Sequence, residues 1–168
     1  GTDTRNYGNL IGIAEARALG AKILGTAPES TYAIGNSSLS LMHLTANTAL
    51  HHGLWNDTRK WANSRAPKMI TLVPGYDRHF TVCDSLGIEM VNVKIDAQGP
   101  DTTKLESLVE DSSIKGIWCV PKYSNPTGIT YSNEQVTELA NLPNKAAADD
   151  FVIFWDNAYA IHDIQFPG

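Results

Sequence analysis

An asparagine held in front of a proline, and an aspartate at the end of an apolar run, set out the chemistry this chain could host. The first stands in Asn125-Pro126-Thr127-Gly128 and the second in Asp156-Asn157-Ala158-Tyr159. A residue before proline is driven to extended backbone, so the Asn125 amide is held where it can donate to a ligand oxygen. Gly128 can then take a positive φ. Asp156 closes the apolar run 151–155, and a carboxylate there is costly unless it meets a cation or hydrogen-bond donors. A protonated pyridine nitrogen would be such a cation, and Tyr159 could bring its hydroxyl to the same place. Together the motifs could hold a flat, charged heterocycle by a phenolic oxygen and a ring nitrogen. The plainer readings are an Asn-Pro turn and a carboxylate satisfied by nearby backbone N–H groups.

Two more segments have the same character. Gly35-Asn36-Ser37-Ser38 stands where a helix should begin. Free N–H groups, the positive end of the helix dipole and two hydroxyls would cradle a phosphate; an ordinary N-cap is the alternative. Tyr76 follows Pro74-Gly75, so its ring projects from a turn and could stack on a planar ligand or pack under a loop. His79 and His162 flank these segments and either line a pocket or lie on the surface. The adjacent His51 and His52 point about 100° apart on a helix, so no metal site is expected.

The elements that must position these groups follow from hydrophobic period. Leu10, Ile13, Ala14 and Ala18 recur at helical spacing, with Gly20 as the stop; Leu39, Met42, Ala46, Ala49 and Leu50 form a second helical stripe. Helices are also expected over 79–86, after a cap at Asp101, and from a Ser132/Gln135 capping box to Pro143. Strands are expected at 31–34, 69–73, 88–95, 117–120 and 151–155. Three of these are almost continuously apolar, as in parallel strands buried on both faces. The fold class is therefore α/β, a three-layer sandwich with a mostly parallel sheet. Ligands bind such sheets outside the carboxyl ends of the strands, where all four polar segments would meet. Segments 56–67 and 141–150 read as the loosest.

Composition narrows the rest. The chain has 168 residues, 42% hydrophobic and 18% charged, with net charge −5. That fits a folded core, and without a basic stretch no nucleic-acid partner is expected. No apolar run has transmembrane length, so no membrane partner is expected. Cys83 and Cys119 lie in apolar surroundings and read as buried thiols in a reducing, cytoplasmic setting. The ends, Gly1-Thr2-Asp3-Thr4-Arg5 and Phe166-Pro167-Gly168, read as those of a piece of a longer protein.

The four segments, in this order, resemble the large domain of fold-type I pyridoxal-phosphate enzymes, the class I aminotransferases. The likeness runs over essentially the whole chain. It is strongest to a bacterial aspartate-aminotransferase-like, MocR-like group in Tyr7-Gly8-Asn9-Leu10-Ile11-Gly12, in Val73-Pro74-Gly75-Tyr76-Asp77-Arg78-His79-Phe80, and in Val120-Pro121-Lys122-Tyr123-Ser124-Asn125-Pro126-Thr127-Gly128. The resemblance implies pyridoxal 5′-phosphate as cofactor. Asn36, Ser37 and Ser38 would hold its phosphate, Tyr76 would stack on its ring, Asn125 and Tyr159 would bond its phenolic oxygen, and Asp156 would pair with its ring nitrogen. Tyr7 would reach the cofactor phosphate of a partner subunit, which implies a homodimer.

The same resemblance calls for a Schiff-base lysine some tens of residues after the Asp156 motif. All eight lysines, from Lys22 to Lys145, precede Asp156, so no catalytic residue is expected in this chain. Residues 1–168 would then be a large domain truncated at both ends, without its C-terminal small domain and inactive alone. The implied reaction of the parent is transamination between an amino acid, aspartate or glutamate, and a 2-oxo acid. The alternatives are an aminotransferase-like effector domain of a transcription regulator and another fold-type I lyase or decarboxylase.

Overall fold

A computed structural model describes residues 8–163, which fall into two compact units. The first contains the chain up to Ser38 and from Tyr159 onward; the second is Leu39–Ala158.

In the first unit α1 spans Ala14–Leu24 and ends at Gly25, in the left-handed conformation at φ 66°. The helix runs through Gly20 instead of stopping there. At Gly20 a Cβ would lie 3.1 Å from Cγ2 of Thr31, so this glycine serves close packing and not termination. Segment 31–34 is not a strand. Ala33 donates its N–H to the Ile11 carbonyl at 3.0 Å, but no ladder follows. Arg17 instead ties the segment to α1, with Nε donating to the Thr31 carbonyl at 2.8 Å and a terminal nitrogen to that of Pro28 at 2.6 Å.

The second unit is built on a five-stranded sheet. The helix α2 (Ser38–His51) leads into β1 (Lys68–Val73), α3 (Asp77–Ser85) and β2 (Glu89–Asp96). The chain continues through β3 (Gly99–Pro100), α4 (Thr102–Leu108), β4 (Ile114–Cys119), α5 (Asn133–Lys145) and β5 (Val152–Trp155). The order is β3-β2-β1-β4-β5; every pairing is parallel except the short β2–β3 pair. The fifth strand is thus β3 and not 31–34.

Strand alternation sends side chains to two cores. Ile70, Leu72, Ile117 and Cys119 pack with Leu105 of α4 and with Leu139 and Leu142 of α5. On the other face Met69 and Trp118 pack with Ala46 and Ala49 of α2 and with Val82 and Cys83 of α3. This is the expected three-layer sandwich. Gly116 makes close strand contact possible, since a Cβ there would sit 2.5 Å from the Val152 carbonyl oxygen.

Several boundaries move. β4 begins at Ile114, three residues earlier than its apolar run, because Lys115 is buried by an ion pair with Asp150. Two short 3₁₀ turns, Asp57–Arg59 and Trp61–Asn63, order part of the segment expected to be loose, and Trp61 is buried there. The Ser132/Gln135 capping box forms as expected, but α5 passes through Pro143 to Lys145. Proline there removes one hydrogen bond of the helix and crowds the carbonyl four residues before it, and the helix ends two residues later. Both cysteines are free and buried.

Candidate functional site

The strand order reverses beside β1, because the chain moves to β2 on one side and then crosses to β4 on the other. The crevice at such a switch point is where open α/β sheets take ligands. Tyr76 follows β1, Asn125 follows β4, and Asp156 follows β5. Three of the expected site residues therefore stand at the carboxyl edge of adjacent strands.

Each is presented by local geometry. The turn after β1 is so tight that a Cβ on Gly75 would lie 2.2 Å from the Leu72 carbonyl oxygen. Tyr76 then serves as N-cap of α3 and is half-buried. Asn125 is exposed on a closed loop in which Ser124 N–H donates to the Ile129 carbonyl at 2.8 Å. The Asn125-Pro126 peptide is cis, and Gly128 has φ 73°. Tyr123, at φ 50°, enters the same loop in a conformation uncommon for a side-chain-bearing residue.

Asp156 is anchored by its own N–H, which donates to the Cys119 carbonyl at 2.8 Å. Its side chain is 12% exposed, and Oδ2 lies 3.1 Å from Nε2 of His79. A carboxylate only accepts, so the bond requires a proton on Nε2 of the imidazole. Neither sequence reading of Asp156 named this side-chain partner, which comes from α3. His79 is buried at 3% exposure, so its surface reading is excluded.

The imidazole belongs to an aromatic chain. Tyr76 meets it edge-on at 5.3 Å, and Trp118 stacks against it at 4.8 Å with 12° between planes. Phe154 lies 4.0 Å behind Trp118, and the indole N–H of Trp118 donates to Sγ of Cys83 at 3.4 Å. Burial, first, raises the Cys83 thiol above its ordinary range, and the nearby Asp84 adds to this against the opposing Trp118 bond. Cys83 is therefore a neutral acceptor. Trp118 was not legible as a site residue; its only signal was a tryptophan inside an apolar strand.

Asn36, Ser37, Ser38 and Tyr159 belong to the first unit. Asn36 lies in a bend, Ser38 is the first residue of α2, and all three residues of the proposed cradle are exposed. The segment leading into them is a coil, so the strand-to-helix premise for that cradle fails. Tyr159 sits in a turn, accepts from the His162 N–H at 3.2 Å, and meets the exposed His162 ring at 5.7 Å. Tyr7 lies outside the described residues.

Known proteins share this architecture. A Mycolicibacterium smegmatis protein described provisionally as an aminotransferase is 48% identical over 165 residues, covering 98% of this chain and 38% of its own length. The crystal structure of an aspartate transaminase from Corynebacterium glutamicum superposes with a TM-score of 0.90 at 39% identity, covering 99% of this chain and 39% of that one. The α-aminoadipate aminotransferase LysN of Thermus thermophilus, at 19% identity and a TM-score of 0.68, shares the fold over 89% of this chain and 34% of its own. The chain spans about two fifths of the length of its curated relatives, 38% and 39%. The aspartate amino-transferase family matches residues 1–168, and this chain belongs to it.

Proposed function

We propose that the whole protein is a pyridoxal 5′-phosphate-dependent aminotransferase, and that residues 1–168 form a large part of its cofactor-binding domain. The observation that carries this reading is Asp156, a nearly enclosed carboxylate at the ligand-binding edge, backed by His79 at 3.1 Å. An acidic group held there, beside the projecting Tyr76 ring, suits a planar heterocycle with a protonated nitrogen. When bound, the cofactor supplies an electron sink for removal of a substrate's α-proton.

The chain's own residues act on position and charge. Asp156 holds the proton on the ring nitrogen, and His79 fixes the Asp156 carboxylate from the inner side. Tyr76 offers a ring face for stacking. Asn125 and Tyr159 donate to the phenolic oxygen, while Asn36, Ser37 and Ser38 receive the phosphate at the start of α2. Tyr7, outside the described residues, takes by the family resemblance the role of contacting the cofactor phosphate of a second subunit in a cytoplasmic homodimer. The anchoring lysine that the resemblance calls for belongs to the whole protein outside residues 1–168, and 1–168 alone is inactive. The substrates are aspartate or glutamate and a 2-oxo acid. The likeness to an aspartate transaminase at 39% identity supports that choice.

The test is Asp156→Ala in the whole protein. Transamination should be abolished while phosphate-dependent cofactor binding partly survives. Near-normal turnover would refute the ring-nitrogen role. For 1–168 alone, a borohydride-stable pyridoxyl adduct on one specific lysine would contradict the claim that the anchoring lysine lies outside this chain.

A further inference from the structure

The His79–Asp156 contact depends on how the imidazole is oriented, and nothing covalent fixes that orientation. A histidine ring can rotate about its Cβ–Cγ bond, and χ2 of aromatic side chains is broad. A rotation that took Nε2 away from Asp156 would leave a nearly enclosed carboxylate without its side-chain donor, a costly state. Something must therefore hold the ring plane.

Trp118 has the geometry for this. Its indole lies nearly parallel to the imidazole, at 12° and 4.8 Å. The indole is itself locked on two other sides. Phe154 packs against it at 4.0 Å, from the neighbouring strand where Trp118 and Phe154 are register partners. Its N–H donates to the buried Cys83 at 3.4 Å, and Cys83 lies on α3, the helix that also carries His79. Strand β4 and helix α3 are thus coupled through one side chain. Trp118 is 3% exposed, and among the described residues it meets the site through the stacked imidazole of His79.

We propose that Trp118 is a positioning residue: its indole plane, pinned by Cys83 and Phe154, sets the imidazole of His79 so that Nε2 aims at Asp156. The consequence for transamination rests on the function proposed above, but the orientation itself does not.

The experiment compares the whole protein, free of cofactor and loaded with pyridoxal phosphate, as wild type, Trp118→Phe and Trp118→Met. Long-range ¹H–¹⁵N spectra of histidine-labelled protein report the Nε2-bound proton of His79, assigned by its loss in His79→Asn. Phe keeps an aromatic plane, whereas Met fills space flexibly without one. Trp118→Phe should retain a protected Nε2–H resonance. Trp118→Met should lose it and lower kcat by about tenfold to a hundredfold, as outer-shell changes commonly do, with KM little altered. A space-filling role would treat the two variants alike, so equal His79 spectra in both would overturn the proposal. If Trp118→Met does not fold, Phe154→Leu, which removes the ring packed on the indole at 4.0 Å, decides: a moved His79 resonance supports the coupling, and an unmoved one overturns it. A resonance that shifts as expected in a protein devoid of transaminase activity would support the positioning role and refute the proposed function instead.

Discussion

Two enclosed carboxylate contacts stand at opposite ends of the same strands, and they are built in opposite senses. Near the amino edge Lys115 of β4 meets Asp150, just before β5, with Nζ to Oδ1 at 2.8 Å. Beyond the carboxyl edge His79 meets Asp156, just after β5, at 3.1 Å. In the first pair the carboxylate is the sealed member, at 4% exposure against 11% for lysine; in the second the histidine is sealed, at 4% against 12% for the aspartate. Trp61 closes over the first, its indole N–H donating to the Asp150 carbonyl at 3.3 Å. The amino-edge pair completes a structural joint. The carboxyl-edge pair keeps its acid on the outer side, supported from within, which is what recognition of a cationic ring nitrogen requires.

The sharpest way to break this comparison is to remove one charge from the inner joint. Lys115→Met should strand the Asp150 carboxylate and cost about 3–5 kcal/mol, the usual penalty for half a buried pair. Lys115→Met with Asp150→Asn should recover most of that loss in denaturant melts of the whole protein. If both variants melt alike, the pair is not the joint described. Asp156→Ala tests the opposite end. It should lower turnover by at least about 10²–10³-fold, the scale for losing one preorganised electrostatic partner, while shifting the melting temperature much less than Lys115→Met does. A large loss of stability with retained turnover would erase the distinction between the two pairs.

Asn125→Ala should have a smaller effect. Losing a donor to the phenolate should raise the pH at which the bound cofactor's absorbance titrates, because the charged form is no longer favoured. An unchanged titration would remove Asn125 from the site.

The smallest effect concerns the charges of the amino edge. Asp111 is held below the ordinary carboxylate value by the Ser113 N–H first, then by the Ser113 hydroxyl and Lys68. A depressed folded value means the stabilisation is present above the unfolded value and is lost as pH falls through the folded one. Asp111→Asn should therefore melt slightly below wild type at neutral pH, and the gap should close on acidification. A gap that widened in acid would have the wrong sign.

Much of this was legible in the chain. The apolar runs at 69–73, 117–120 and 151–155 announce parallel strands because such strands are covered on both faces. The capping box at Ser132 and Gln135 is a local pattern and formed as read. Other readings failed where long-range contacts override local ones. Gly20 reads as a helix stop but packs on Thr31. Thr31 to Ile34 have strand composition but find no ladder. The strand read at 117–120 begins earlier, at Ile114, because Lys115 is carried into the sheet paired with the distant Asp150.

At the candidate site the division is similar. Residue type and spacing alone marked Asp156, Asn125 and Tyr76, because an acid after an apolar strand, an Asn-Pro step and an aromatic after Pro-Gly are local anomalies. His79 was marked only as a neighbour of these segments, and its pairing with Asp156 was not. His79 is 77 positions away, and its role exists only because the sheet order places β1 between β2 and β4. Trp118 acts through a plane-to-plane contact that no linear pattern encodes. Sequence by itself determined which side chains surface at strand ends, since that follows from backbone period and local sterics. Tertiary structure decided which group supports which, since burial in common makes a charge pair or a stacked ring stable only when both partners arrive together.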